Sequence, residues 1–228
     1  MIISGYGVVL ERLKSADLEL VRQKRNSPEV QEYMSFREEI TPVQQQIWFT
    51  RIDNENNNYF VIRDGEKKIG LISGADIDWT AMTTGNGGMF FWDNSYWGTM
   101  FPIAAAVLLT DISFLLGFRK TQIRILRDNH RAIIFNQRLG YKLLNGQEEL
   151  TNQIYELTEA DYVESTRELK LKLAENVDSK ISCVIDDQDH PASKNIIHIY
   201  NRLPESSQSK LLFSVVSKAD SQIRFPQK

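Results

Sequence analysis

The chain has 228 residues, of which 42% are hydrophobic and 25% are charged, and its formal net charge at pH 7 is −3. This length and apolar content predict one domain of average size with an appendage, or two small domains. Lysine and arginine are scattered among aspartate and glutamate, and without a basic stripe we expect no binding to nucleic acid.

The N-terminus and the cysteine content indicate the compartment. The opening residues, MIISGYGVVLERL, lack the basic region, the long apolar stretch and the cleavage site of a secretory signal, and no apolar run could span a bilayer. Cys183 is the single cysteine, so no intramolecular disulfide can form, and its place in ISCVI predicts a core residue. We therefore expect a cytoplasmic protein that does not enter a membrane.

The first 80 residues combine strand and helix signals. They predict a strand over residues 7–13, a helix from Ser15 to near Pro28, a helix from Thr41-Pro42 to about Ile52, and two strands around the turn Asp64-Gly65. Alternating apolar and polar residues indicate the first strand. Proline stops the first helix and opens the second, and Asp-Gly is the typical residue pair of a tight hairpin.

The middle of the chain predicts the remainder of a mixed sheet. TTGNGG, residues 83–88, is expected to break the chain before an aromatic strand over residues 89–93. After it we predict a helix from Phe101 to Leu116, a strand over 121–128, a helix from Asn129 to Leu139 that Gly140 stops, strands over 141–144 and 152–158, and a helix over 159–176. This order predicts an α/β fold, a mixed sheet with helices on its faces.

The sequence changes character near Asn176. Residues 186–195 and 204–210 read as loops, IIHIYNRL has a helical period, and LLFSVV fits a strand or a helix. These apolar residues are too few for a separate core. We expect a domain over residues 1–175 and an appendage of uncertain fold over 176–228, whose IIHIY and LLFSVV segments suit a subunit contact in a homodimer.

Four segments together resemble a known family. They are TPVQQQIWF, YFVIRDGEKKIGLI, FFWDNSYWG and, most specifically, DNHRAIIFNQRLGYKL, which is similar to an Asn-x-x-Ala-Ile stretch that ends in Leu-Gly-aromatic. In this order and spacing, residues 8–160 resemble the GNAT superfamily of N-acetyltransferases, in particular the branch of ribosomal-protein N-terminal and amino-sugar acetyltransferases. The resemblance implies a GNAT-like fold with a C-terminal extension.

The resemblance also implies acetyl-CoA as the acyl donor, bound in a V-shaped split between two strands. The backbone at Phe91 and Trp92 would pair with the pantetheine arm, and the turn from Trp97 to Pro102 would offer amides to the pyrophosphate at a helix N-terminus. The residues implied in cofactor binding are Phe91, Trp92, Trp97, Gly98, Thr99, Met100, Phe101, Asn129, Ile133 and Asn136.

The phosphate turn departs from the pattern of the family, which reads Arg or Gln, two residues, Gly, one residue, then Gly or Ala. Trp97, Met100 and Pro102 occupy those defining positions, and only Gly98 matches a glycine common in the branch. Proline removes one amide donor, which costs about 1.5–3 kcal/mol when the acceptor is charged. Asn136 stands where relatives place the tyrosine that protonates the leaving thiolate.

The general base is the second departure. Arg124 occupies the position of a catalytic glutamate, and arginine stays protonated, so it cannot be the base. It either holds a carboxylate or phosphate of the acceptor or faces solvent as an ordinary strand residue. Asp76, Asp78 and Asp93 flank the expected cleft and are the candidate bases.

Two functions of different class follow. One is an acetyl-CoA-dependent N-acetyltransferase that acts by direct attack of a primary amine, on a small molecule such as an amino sugar or on a protein N-terminus. The other is a GNAT-like binding or assembly module that has lost the chemistry. No spacing of cysteine, histidine or aspartate predicts a metal site.

Overall fold

The computed structural model describes residues 1–176, 180–186 and 190–216. Over these residues the chain forms ten strands, which are β1 (Ile2–Gly5), β2 (Val8–Arg12), β3 (Asn58–Asp64), β4 (Lys67–Asp78), β5 (Thr83–Phe91), β6 (Lys120–Leu126), β7 (Lys142–Leu143), β8 (Asn152–Thr158), β9 (Ile181–Asp186) and β10 (Leu211–Val216). The same residues form eight helices, which are α1 (Leu18–Arg25), α2 (Pro28–Gln31), α3 (Pro42–Ile52), α4 (Phe101–Leu115), α5 (His130–Arg138), α6 (Glu159–Asn176), α7 (Ala192–Tyr200) and α8 (Glu205–Gln208).

All ten strands belong to one mixed sheet. Their order is β10-β9-β1-β2-β3-β4-β5-β6-β8-β7. The pairs β5–β6 and β9–β10 are parallel, and the other neighbours are antiparallel. Helices α1 and α3 pack on one face, where Val61 and Leu71 point, and α4 packs on the face to which Phe60 and Ile62 point. The mixed α/β fold is therefore as predicted.

Helix α4 is the apolar centre of the second face. Ala105, Val107 and Leu108 have no exposed surface, and each buried aliphatic side chain of the size of Val or Leu contributes about 1.5–3 kcal/mol. The one carboxylate buried in this helix, Asp111, accepts hydrogen bonds from Tyr6 at 2.7 Å and from Tyr162 of α6 at 2.9 Å. Helix α6 is thus fixed to α4 by polar contacts as well as by packing.

Several local predictions are confirmed. Thr41 caps α3 by accepting a hydrogen bond from the Gln44 amide at 3.2 Å, and Pro42 begins that helix. Helices α4 and α5 and the hairpin β3–β4 lie where the sequence indicates. Gly140 has a φ of 101°, the left-handed conformation that ends α5. Cys183 is buried in β9.

The prediction that TTGNGG breaks the chain is wrong, because residues 83–88 form the first part of β5. Gly87 pairs with Gly74 of β4 and with Ile123 of β6, and a Cβ at Gly87 would lie 3.0 Å from the Ile123 side chain. Pairing on both sides offsets the weak strand preference of glycine. The aromatic strand also ends earlier than expected, at Phe91.

The sequence did not predict two other elements. Strand β1 precedes the first predicted strand and pairs with it, and the loop expected over residues 204–210 contains α8. Ser15 does not cap α1 directly, since residues 15–17 form a short 3-10 turn before that helix.

The segment after residue 180 extends the same sheet. Strand β9 pairs with β1, LLFSVV forms the edge strand β10, and IIHIY lies in α7. The rings of Tyr200 and Phe213 stack with centroids 3.9 Å apart. Part of the expected loop over 186–195, residues 187–189, lies outside the described residues, and the domain boundary at residue 175 stays a prediction. Among the described helices, none combines the length and the apolar composition that crossing a bilayer requires.

Candidate active site

The pairing between strands β5 and β6 ends about halfway along each strand. They pair at Thr83–Lys120, Thr84–Thr121 and Gly87–Ile123 and at no later position, although both strands continue. We call the gap between residues 88–91 of β5 and residues 124–126 of β6 the split. It leaves the backbone edge of β5 open toward β6.

The backbone of β5 faces the split at alternate residues. The Trp92 amide donates to the Ile69 carbonyl at 3.2 Å, so it points toward β4 and is already used. Alternation along the strand directs the amides of Met89 and Phe91 toward the split. The Phe91 amide is therefore open toward the split, as a ligand-pairing role requires, whereas the Trp92 amide is already used within the sheet and the neighbouring open amide is that of Met89. The role of these residues in binding stays a prediction.

Aromatic packing holds the segment after β5 in place. The Phe91 side chain is buried, and its ring centroid lies 6.3 Å from that of Tyr96 and 5.6 Å from that of Trp97. The Tyr96 hydroxyl donates to Asp64 at 3.0 Å, in the β3–β4 turn. These contacts fix the position of the residues from which the turn over 97–102 begins.

Some backbone amides of this turn already donate hydrogen bonds to other residues of the same segment. The Trp97 amide donates to Asn94 O at 3.1 Å, and the Thr99 amide donates to Tyr96 O at 3.2 Å. The Phe101 amide donates to the Thr99 hydroxyl at 3.3 Å. These three residues were predicted to offer amides to a phosphate, and the internal bonds reduce that capacity.

Other amides at the start of α4 stay open. Within the described part of the chain, the amides of Gly98, Met100 and Ile103 have no protein acceptor. Gly98 has a φ of 87°, which favours glycine, and a Cβ added there would meet nothing within 4 Å. The Met100 side chain is 44% exposed, so it points outward instead of filling the turn. Pro102 is buried in the first turn of α4, where its missing amide costs no helix bond.

Trp97 and Arg131 close the mouth of the split. The Arg131 guanidinium carbon lies 4.0 Å from the centroid of the Trp97 ring, a cation–π contact. No carboxylate among the described residues forms an ion pair with Arg131. The two residues line a cavity of about 290 Å3, whose other lining residues are Glu29, Glu32, Tyr33 and Asn94.

Arg131 was missed by sequence reasoning. The available signal was its position in the first turn of α5, directly after Asn129-His130, in a chain whose phosphate turn has lost its own arginine. The contact with Trp97 joins two segments far apart in sequence, so it could not be read from spacing.

The predicted residues of α5 are mostly engaged in the helix. Asn129 caps α5 by accepting from the Ala132 amide at 3.1 Å. Asn136 donates from its side-chain amide to Ala132 O at 2.8 Å and keeps one further hydrogen for another acceptor. Ile133 is half-buried against the core.

Asp93 is a poor candidate base. It accepts hydrogen bonds from Lys67 at 2.6 Å and from the Ser95 amide at 3.0 Å. These bonds, that of Lys67 foremost, hold the pKa of the Asp93 carboxyl far below its usual range. The lowered pKa makes Asp93 a weak proton acceptor, and both of its carboxylate oxygens are already bonded, to Lys67 and to Ser95.

Asp78 and Asp76 are the other two candidate bases. Asp78 accepts from the amides of Thr80 and Ala81 at 2.9 and 2.8 Å, and it pairs with Thr83, at the closed end of β5 and about 25 Å of extended strand from Phe91. Asp76 is exposed and has a φ of 53°. Burial, and next the Asp76 charge, raise the pKa of Tyr59. A Cβ added at Gly85 would lie 3.2 Å from the Asp76 side chain, so Asp76 also stands toward the closed end of β5, three residues before Gly88.

Arg124 is exposed on β6, on the opposite face from Ile123 and Ile125. That is the face that carries α1 and α3. In the described residues, no group of three or more histidine, cysteine, aspartate or glutamate side chains is arranged to hold a metal ion.

Solved structures share this fold. Spermidine N-acetyltransferase from Vibrio cholerae, in complex with CoA and spermine, is 16% identical with a TM-score of 0.59, over 69% of this chain and 98% of that one. FdhC, a nucleotide-linked sugar GNAT in its apo form, is 19% identical with a TM-score of 0.60, over 74% and 96%. RimL, a ribosomal L7/L12 alpha-N-protein acetyltransferase in complex with coenzyme A, is 15% identical with a TM-score of 0.58, over 69% and 98%.

The family follows from the sequence itself. No curated protein matches the chain significantly. The family description of the acetyltransferase (GNAT) domain matches residues 8–142, which is more than half of the chain and includes the split and the turn before α4. This chain belongs to the GNAT acetyltransferase family.

Proposed function

We propose that this chain transfers the acetyl group of acetyl-CoA to a primary amine, on a small molecule such as an amino sugar or on a protein N-terminus. The observation that carries the proposal is the split, with the open backbone edge of β5 beside it and open amides at the start of α4. The named activities of the similar structures, on spermidine, a nucleotide-linked sugar and a ribosomal protein, support an amine as acceptor.

The residues near the turn fit the diphosphate of the donor. The open amides of Gly98, Met100 and Ile103 and the positive end of the α4 dipole favour a dianion. Arg131 adds a cation that forms no ion pair among the described residues, although Glu29 and Glu32 line the same cavity, and it lies next to the position where the family pattern has an arginine or glutamine. These contributions offset the amide that Pro102 lacks.

Bound acetyl-CoA supplies an activated acetyl group, whose carbon–sulfur bond breaks as a carbon–nitrogen bond to the neutral amine forms. One of the two amides that face the split, that of Met89 or that of Phe91, would donate to the carbonyl oxygen as negative charge develops on it, and the other would remain for the arm of the donor, because two residues of extended strand span about 7 Å. The proton that the amine loses would pass to water, since Asp76, beside Gly85, and Asp78, opposite Thr83, both lie toward the closed end of β5. The thiolate would take its proton from solvent, since Asn136 has no proton to give up.

A binding or assembly module is the second candidate. It is favoured by the amides of Trp97 and Thr99, which are used within the turn, and by the side chain of Asn136, which is bonded to Ala132 O. In that case the chain would bind a ligand or a partner without turnover.

The test is release of CoA thiol from acetyl-CoA in the presence of single amines, with mass spectrometry of the product. We expect a thiol release that depends on both amine and enzyme, and one added acetyl group on the amine. Reactions without amine correct for hydrolysis. Absence of transfer to amino sugars, polyamines and peptide N-termini at saturating donor would favour the module.

A further inference from the structure

Four strands carry a row of residues across the sheet at the level where the split begins. Tyr59 of β3 pairs with Ser73 of β4, and Ser73 pairs with Gly88 of β5. Gly87 and Ile123 form the last pair of the parallel β5–β6 ladder, so the next residues, Gly88 and Arg124, lie at the same height on their strands. Alternation directs the row to the face that carries α1 and α3. We call these four residues the cross-strand row.

Gly88 leaves a gap in the cross-strand row. A Cβ added at Gly88 would meet only the Ser73 hydroxyl oxygen, at 3.9 Å, so there is open space over this backbone. Neighbouring strands lie about 4.8 Å apart, which separates Ser73 from Arg124 by about 10 Å before the strands diverge. Glycine inside a strand often marks the close approach of a ligand. The gap therefore has room for a small acceptor between a hydroxyl and a guanidinium.

Arg124 gives one end of this gap a positive charge. Within the described residues it forms no ion pair. Glu156 of the neighbouring strand β8 accepts hydrogen bonds from Lys120 at 2.9 Å and from Gln122 at 2.8 Å, so Lys120 already balances that carboxylate. A guanidinium binds carboxylates and phosphates through a planar pair of donors.

At its other end the row itself carries no charge, while the Asp76 carboxylate on β4 is near enough to add to the effect of burial and raise the pKa of Tyr59. The Ser73 hydroxyl donates to Gly88 O at 3.4 Å, and burial, the largest cause, raises the pKa of Tyr59, which keeps its phenol neutral. Two acidic side chains, Glu29 of α2 and Glu32 directly after it, line the cavity with Trp97 and Arg131 instead. The charge that faces the gap from within the row is therefore the one on Arg124.

We propose that the acceptor is an amine that also carries an anionic group, a carboxylate or a phosphate, and that Arg124 binds this group across the split from Gly88. This inference rests on the proposed acetyl transfer. It makes Arg124 a residue that determines acceptor specificity and that contributes nothing to binding of the donor.

The experiment compares amines that differ only in the anionic group. Glucosamine and glucosamine 6-phosphate form the phosphate pair, and a tripeptide and its C-terminal amide form the carboxylate pair. Thiol release gives kcat and KM for the wild type, R124Q and R124K, with R138Q, an exposed arginine at the end of α5, as matched control. Calorimetry measures the Kd of acetyl-CoA and of the acetylated charged product for each protein.

We expect the wild type to show a KM about tenfold or more lower for the charged member of one pair, because a hydrogen bond to a charged group discriminates by that amount. R124Q should lose this preference and bind the charged product correspondingly weakly, R124K should keep part of it, and R138Q should match the wild type. The Kd of acetyl-CoA should not change.

Equal KM values within both pairs, a preference for spermidine over every anionic amine, or an R124Q variant that keeps the preference would overturn the inference and leave the acetyl transfer intact. Absence of acetyl-CoA binding, or of thiol release with any amine, would overturn the proposed function and this inference with it.

Discussion

Single residues of the turn over 97–102 differ from the family pattern, and a cation from another element lies beside them. Trp97 stands where the family pattern has arginine or glutamine, yet its ring carries the Arg131 guanidinium at 4.0 Å. The positive charge that the pattern places on the turn is therefore supplied beside it by Arg131 of α5. The sequence predicted the loss at Trp97 and Pro102, but the compensation depends on a contact between distant segments and could be found only in the fold.

The Arg131→Ala substitution tests this compensation. We expect it to raise the Kd of CoA about tenfold or more, because a charge-assisted contact to a phosphate is lost. Binding of acetyl-pantetheine, which has no diphosphate, should not change. Calorimetry with both ligands measures the difference, and Arg138→Ala is the control. An equal loss of affinity for both ligands would mean that Arg131 acts on the fold and not on phosphate.

The Asp93→Asn substitution tests the role of the lowered pKa. A carboxyl whose pKa is lowered in the folded state contributes stability above its unfolded value of about 4, and loses it as the pH falls through the folded pKa. Asp93 therefore stays ionised from pH 5 to 9. We expect the acid limb of the kcat/KM profile to keep its midpoint in the variant while the Kd of CoA rises. A shifted midpoint would make Asp93 a proton acceptor after all.

At the scale of elements, strand β5 determines the site. Its glycines were read as a break because glycine disfavours strands, but β4 and β6 hold the segment on both sides up to Gly87. The predicted helices were more accurate, since capping residues and proline act locally and need no partner strand. The same reasoning explains why β1 was missed, since this short strand needs β2 and β9 beside it.

The attachment of α6 to α4 gives a prediction at this scale. Tyr162→Phe removes one donor to the buried Asp111 and leaves Tyr6 and Lys170 as its partners. We expect the free energy of unfolding to fall by about 1–3 kcal/mol, the cost of an unmet hydrogen bond to a buried charge. Urea denaturation measures it, with the exposed Tyr33→Phe as control. An unchanged midpoint would show that the Tyr162 hydroxyl does not contribute to the attachment of α6.

At the scale of the whole molecule, the segment after residue 180 completes the sheet. Ile181, Cys183 and Ile185 are buried in the same core cluster as the residues of α4. The sequence predicted that this segment has too little apolar content for a core of its own. In the structure its apolar side chains are buried in the core of the preceding residues instead. Where the chain divides into domains is tested by truncation.

A chain that ends at Asn176 should be much less stable than the full chain. It loses β9 beside β1 and at least three buried side chains, against a total stability of about 5–15 kcal/mol for a typical protein. We expect a large fall in Tm or aggregation, measured by thermal denaturation. A chain that ends at Val216 keeps every described strand and is the control. Equal Tm values for residues 1–176 and the full chain would establish an independent domain instead.

The central claim is that the split between β5 and β6, with the turn beside it, holds acetyl-CoA. Hydrogen–deuterium exchange with and without saturating acetyl-CoA tests it most directly. We predict slower exchange in the segments 88–103 and 129–136, which contain the open edge of β5, the open amides before α4 and the start of α5. Unchanged exchange in both segments, or protection confined to another part of the sheet, would contradict the claim.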